Sequence, residues 1–129
     1  MSVFIDTSYF YARMSAKDQW HARAVKAHPP PGSVTSTFIV NETATLLQTR
    51  GFLSTALEFL SRIRAEPGIR IVHIDPVLQA EAWELLARHG SSGANLTDCA
   101  SFAVMRSQRI TRAFSFDEHF RAAGFQILR

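Results

Sequence analysis

The sequence predicts an α/β fold: a three-layer α/β/α domain with a mostly parallel central sheet covered by helices. Two observations carry this. Short apolar, β-branched runs alternate with segments of helical period along the whole chain, and Gly, Pro or small polar residues stand at nearly every junction. In addition, no linker, repeat or charge block divides the 129 residues, so residues 1–129 are expected to form a single domain.

Ser2 to Ile5 reads as a short buried strand, and Asp6-Thr7-Ser8 opens a helix that continues from Tyr9 to Met14. A second helix, rich in Arg, Lys and His, is expected from Asp18 to His28, where Pro29-Pro30-Pro31-Gly32 stops it. Ser33 to Thr35 is a brief strand, and Ser36 or Thr37 can cap a helix from Phe38 to Arg50. Phe52 to Ala65 repeats Leu, Phe and Ile at helical spacing before Pro67-Gly68. Ile69 to Ile74, dense in β-branched residues, is the clearest strand. Asp75-Pro76 suits an N-cap and first turn for a helix to His89. Residues 91–95 form a loop, Thr97 is expected to cap a helix to Ser107, and Ile110 to Phe114 is a strand. A short helix from Asp117 to Ala123 and a strand from Phe125 to Leu128 complete the chain.

Composition narrows the function classes. Hydrophobic residues make up 47% and charged residues 19%, the balance of a globular core rather than a disordered segment. No apolar run approaches the ~20 residues of a membrane span. The carboxylate at Asp6 interrupts any secretory leader, and the single Cys99 excludes an internal disulfide or a Cys-rich zinc site, so a cytoplasmic location is expected. Fourteen Lys and Arg against eleven Asp and Glu give a net charge of +3, and twelve of the fourteen cations are Arg. Such a balance is compatible with a nucleic-acid partner.

The few acids are placed informatively. In such sheets functional groups gather at the carboxyl ends of strands. Asp6 ends the first strand there, and Ser115 and Asp117 follow a later one. Asp6, Asp98 and Asp117 each also suit a structural role at a helix start. Glu42 is different: it shares a helical face with Phe38 and Leu46, where an ionised carboxylate needs either an Arg partner or a metal ion. A hard divalent cation would account for all four acids together. Mg2+ takes a few carboxylate oxygens and works with substrate phosphate, and metal sites of this type hydrolyse phosphodiesters.

Phe4-Ile5-Asp6-Thr7-Ser8, Val40-Asn41-Glu42, the run from Leu96 through Asp98 to Met105, and Ala113-Phe114-Ser115-Phe116-Asp117-Glu118-His119-Phe120 together resemble the PIN-domain family. Within that family the chain resembles the VapC-type toxins of prokaryotic toxin–antitoxin pairs. The resemblance covers essentially the whole chain. It implies a Mg2+- or Mn2+-dependent ribonuclease in which Asp6 and Asp98 are the main metal ligands. Glu42 and Asp117 would complete the catalytic acidic site, with Thr7 and Ser115 as supporting hydroxyls. Ser115 stands where many members carry Thr, a change that keeps the hydroxyl. The resemblance also implies RNA as substrate, a homodimer and a cognate antitoxin protein.

Other residues have plainer readings. His119 is expected on an exposed helix position, Cys99 in a buried helix, and Trp20 and Trp83 as core or interface anchors. Arg13, Lys17, Arg23 and Lys26 form either an RNA-facing patch or a solvated helical face. Other functions are weaker. A receiver domain would need paired acids after the first strand and a late Lys, and no Lys follows Lys26. A haloacid-dehalogenase-like phosphatase would need an acid at position 8, where Ser8 stands. A non-catalytic RNA- or protein-binding module that keeps the fold is the remaining alternative.

Overall fold

The computed structural model describes residues 2–129. Five strands form one parallel sheet: β1 (Phe4–Ile5), β2 (Ser33–Ser36), β3 (Ile69–Val72), β4 (Arg112–Phe114) and β5 (Gln126–Leu128), in the order β3-β2-β1-β4-β5. The helices are α1 (Thr7–Met14), α2 (His21–Lys26), α3 (Thr37–Thr49), α4 (Leu53–Ala65), α5 (Pro76–His89), α6 (Leu96–Gln108) and α7 (His119–Ala122). A single 3₁₀ turn, Gly90–Ser92, precedes α6.

Chain direction across the sheet fixes the layers. From β1 the chain moves outward through β2 to β3, then returns past β1 to β4 and on to β5. Right-handed crossovers therefore place α1 to α4 on one face and α5 to α7 on the other. Most helix contacts divide in the same way: α1 packs on α2 and α3, and α3 on α4, whereas α5 packs on α6 and α6 on α7; α3 and α6 also touch across the two groups. The expected α/β/α architecture is the one observed. Phe4 of β1 pairs with Val34 on one side and Ala113 on the other, and all three side chains are buried. Strand order reverses between β1 and β4, so the carboxyl ends of these two strands flank the switch point of the sheet.

The core explains why α6 lies so deep. Residues 98–105 of α6 are all buried, and Phe102 meets Phe120 edge-on at 5.4 Å between ring centres. Phe120 also touches Phe4, which ties α6, α7 and β1 together. A fully buried Phe of this kind contributes about 3 kcal/mol through burial alone. Cys99 is fully buried, as expected for a helix residue of this core.

Several boundaries differ from the sequence expectations, each for a local reason. The helix expected from Asp18 begins only at His21, because the Asp18 carboxylate accepts the Trp20 N–H at 2.8 Å and closes a turn instead. Asn95, not Thr97, caps α6: its side-chain oxygen accepts the Asp98 N–H, while the Asp98 carboxylate accepts the Asn95 N–H, both at 2.9 Å. This reciprocal arrangement satisfies two amides that would otherwise be orphaned. Asp117 likewise precedes α7 rather than opening it. The β-branched run at residues 69–74 forms a strand only to Val72. Being at the sheet edge, it is half-buried rather than enclosed.

Candidate metal centre

Asp6, Glu42, Asp98 and Asp117 line one cavity of about 490 Å³, together with a fifth acid, Asp18, and with Thr7, Ser8, Tyr11, Trp20, Leu46, Arg50, Asn95, Phe116 and His119. Three of the four acids arrive by the same route, as acceptors at a helix start. Asp6 ends β1 and caps α1, Asp98 lies in the first turn of α6, and Asp117 accepts the N–H of His119 at 2.9 Å as α7 begins. Favourable backbone dipoles at these positions help to hold negative charge. Glu42 comes from the side, on the second turn of α3, where α3 packs on α6.

Each capping carboxylate is divided between structure and cavity. Asp6 Oδ2 accepts the Ser8 N–H at 3.3 Å, the Ser8 hydroxyl at 2.8 Å and the Ser115 hydroxyl at 2.9 Å. Asp98 uses Oδ2 for the Asn95 amide, and Asp117 uses Oδ1 for the His119 amide. Among the described residues no hydrogen bond reaches the second oxygen of any of the three. One oxygen builds the fold, and the other stays open to a ligand.

Electrostatics fit that division. Burial pushes the Asp6 carboxyl up to about 6, against the lowering effect of the Ser8 and Ser115 hydroxyls, and the Asp98 charge adds to the rise. Asp98 is also raised, first by burial and then by the charges of Asp117 and Glu42, while the Asn95 amide and His119 pull it down. Neighbouring carboxylates that raise one another's proton affinity are a cation site in electrostatic terms. Glu42 forms no ion pair among the described residues, so the Arg partner that would have made it structural is absent.

The structure also relocates two expectations. His119 is not on an exposed helical position: its side chain is two-thirds buried, and Nδ1 lies 2.9 Å from Asp117 Oδ1 and 3.3 Å from Asp98 Oδ2. Ser8, which the sequence reading passed over, is the hydroxyl next to Asp6 in the chain that holds it. The Thr7 hydroxyl is buried and has no hydrogen-bond partner. An acid followed two residues later by Ser is the sequence signal for such a turn. The Ser115 hydroxyl donates to Asp6 Oδ2. Trp20 stacks flat on Phe116 at the cavity rim, with ring centres 5.0 Å apart, whereas Trp83 is 60% exposed on α5. Arg13, Lys17, Arg23 and Lys26 are exposed, and Arg13 reaches the carbonyls of Ala24 and Val25 at the end of α2.

The donor set suits a divalent cation. Asp98, Asp117 and His119 each present a ligand atom within 4.8 Å of the others, and Asp6 and Glu42 border the same space. His119 Nδ1 is shielded from solvent yet has no aligned hydrogen bond, an orphaned atom that a cation would satisfy. A second cavity, about 560 Å³ and lined by Tyr9, Phe10, Arg13, Phe59, Arg62 and Glu66 among others, contains no such group of acids.

Known proteins resemble this chain in sequence and fold. A protein of Mycobacterium tuberculosis, the 23S rRNA-specific endonuclease VapC20, is 38% identical over 129 residues, covering 98% of each chain. The crystal structure of M. tuberculosis VapC20, described as a Sarcin-Ricin loop cleaving toxin, superposes with a TM-score of 0.88 over 95% of both chains. Two structures at 14% identity share the fold. One is a toxin–antitoxin complex from Klebsiella pneumoniae, with a TM-score of 0.65 over 98% of this chain and 96% of that one. The other is FitAcB from Neisseria gonorrhoeae, with a TM-score of 0.70 over 100% and 97%. The PIN domain pattern matches residues 3–126, which takes in all four acids and both hydroxyls that hold Asp6, and the chain therefore belongs to the PIN-domain family.

Proposed function

We propose that this chain is a single-domain, Mg2+- or Mn2+-dependent endoribonuclease, the toxin of a VapBC-type toxin–antitoxin pair. One observation carries the reading. Four carboxylates line one cavity at the switch point of the sheet, three keep an oxygen free of hydrogen bonds, and among the described residues none of the four forms an ion pair with a Lys or Arg. Helix starts use one oxygen each of Asp6, Asp98 and Asp117 but account for neither the open oxygens nor Glu42, whereas a phosphodiester hydrolase uses both.

Asp6, Glu42, Asp98 and Asp117 would hold the cation, directly or through its water shell. When bound, the metal supplies a nucleophilic water at neutral pH and stabilises charge on the attacked phosphate. The protein's own groups do the rest. Ser8 and Ser115 fix the Asp6 carboxylate, and Asn95 fixes Asp98. The cavity walls suit single-stranded RNA. The Trp20–Phe116 pair and the exposed Arg50 guanidinium, seated 4.7 Å over the buried Tyr11 ring, offer aromatic and cationic surfaces to unpaired bases beside the scissile phosphate.

The M. tuberculosis relative is named for 23S rRNA, which makes a ribosomal RNA loop the first substrate to test. Among the described residues no helix is long and apolar enough to cross a membrane, and cytoplasmic action belongs to the same reading. So do an antitoxin and a homodimer, supported by side chains left unburied: Leu53 and Leu57 on α4 are 53% and 58% exposed, and Val77 on α5 is 76% exposed. The test is to incubate purified ribosomal RNA with the protein in Mg2+, in Mn2+ and in EDTA, then sequence the RNA ends. Discrete ends that require the metal support the reading. Uncut RNA in both metals, or equal cleavage in EDTA, overturns it.

A further inference from the structure

We propose that His119 is a fifth ligand of the cation, which gives the site a nitrogen donor and a preference for Mn2+ over Mg2+. This inference rests on the metal-site reading above and extends it to a residue outside the acidic quartet.

Three independent features point the same way. First, Nδ1 has neither solvent nor an aligned hydrogen bond, although two carboxylate oxygens lie 2.9 and 3.3 Å away. Nδ1 shares one small space with a carboxylate oxygen of Asp98 and one of Asp117, all within 4.8 Å of one another, a grouping that one cation can bind in common. Second, the ring is held in place from behind. A Cβ on Gly93 would fall 3.1 Å from Nε2, so a larger residue there would press the imidazole away by a few tenths of an ångström. That glycine also has a φ of +100°, a conformation other residues rarely adopt. Third, position 119 directly follows the Asp117 turn, whose backbone bond from the His119 N–H brings the side chain over the carboxylates.

The chemistry follows from the donor. Carboxylates and water suit Mg2+, whereas imidazole shifts a site toward transition metals. An Asp98–Asp117–His119 set with Asp6 and Glu42 nearby is a mixed O/N site, which Mn2+ accepts more readily than Mg2+ does.

The experiment uses the full chain loaded with Mn2+. Electron spin-echo spectroscopy reads nitrogen bonded to the ion, and calorimetry gives affinities for Mn2+ and Mg2+ separately. In the wild-type protein a directly bonded nitrogen signal is expected, and it should change when histidine is 15N-labelled. In His119→Gln, which withdraws the donor from the Nδ1 position, the signal should vanish and Mn2+ should bind roughly tenfold more weakly, with a smaller change for Mg2+. His119→Asn places an amide near the same point. It should recover most of the Mn2+ affinity through oxygen, without the nitrogen signal, and its thermal melt shows whether it folds.

Two results overturn the inference while leaving the acidic site intact. One is bound Mn2+ with no nitrogen signal in the wild-type protein. The other is tighter Mn2+ binding in His119→Gln, the mark of an imidazolium that competes with the metal rather than holding it. A wild-type chain that binds neither cation removes the inference together with the metal-site reading.

Discussion

The Ser115 hydroxyl donates to Asp6 Oδ2 at 2.9 Å, linking two residues 109 positions apart in sequence. The bond ties the end of β4 to the end of β1 across the switch point of the sheet. The Ser8 hydroxyl reaches the same oxygen at 2.8 Å and also accepts the Phe116 N–H at 2.9 Å. A fully buried carboxylate is thus held on one oxygen by two hydroxyls and left without a countercharge. Its position costs stability, as a site kept for a ligand does.

That cost should be readable from pH. Asp6 binds its proton more tightly in the folded chain, at about 6, than at its ordinary value of 3.8. Below about 4 both states are protonated. Between about 4 and 6 the unfolded state loses its proton first, so the metal-free fold loses stability as pH rises, by about 3 kcal/mol at most. Asp98 shifts in the same direction and adds to the slope. Asp6→Asn should flatten much of this slope in melts recorded in EDTA from pH 4 to 7. An unchanged slope in that variant would contradict the assignment.

Neighbouring hydroxyls should behave in opposite ways. Ser8→Ala removes a donor to Asp6 and the acceptor of the Phe116 N–H, and should cost about 1–3 kcal/mol. Thr7→Val removes a buried hydroxyl that has no partner, and should leave stability unchanged or slightly higher. Urea titration of both variants checks the pair. Equal losses would mean that Thr7 has a role the structure does not show.

A cation that binds only the folded chain should stabilise it by mass action. At a concentration one hundred times its dissociation constant the gain is about 2.7 kcal/mol. Scanning calorimetry with increasing Mn2+ should raise the melting temperature of the wild-type protein and leave Asp98→Asn nearly unmoved. Identical shifts in both proteins would place the binding elsewhere.

The fold was legible where a strand is a short apolar run, as at Phe4–Ile5 and Ile69–Val72, and where a helix opens with a capping side chain, as Asp6, Ser36 and Asp75 provide for α1, α3 and α5. What sequence hides is which of several adjacent polar residues takes a given amide. Thr97 could have capped α6, but Asn95 does, because Asp98 completes a reciprocal pair only with a cap three residues earlier. The quartet of acids was visible, since charges in apolar surroundings and at strand ends stand out. His119 was not, because its approach to Asp98 depends on how α7 meets the start of α6 and on the space Gly93 leaves, neither of which is a local pattern.

The most direct test of the central claim compares Glu42→Gln and Asp98→Asn with the wild-type protein in two readouts: Mg2+-dependent cleavage of ribosomal RNA, and thermal melting in EDTA. Glu42 has no ion-pair partner among the described residues. Neutralising it should therefore leave the metal-free melt unchanged, or raise stability by roughly 1 kcal/mol through relieved repulsion. Asp98→Asn relieves more repulsion but exchanges an ionised cap acceptor for a neutral one, so its melt should move little in either direction. Cleavage should fall sharply in both. A Glu42→Gln protein that melts far earlier yet cuts RNA at the wild-type rate would make Glu42 a structural residue and contradict the four-carboxylate site.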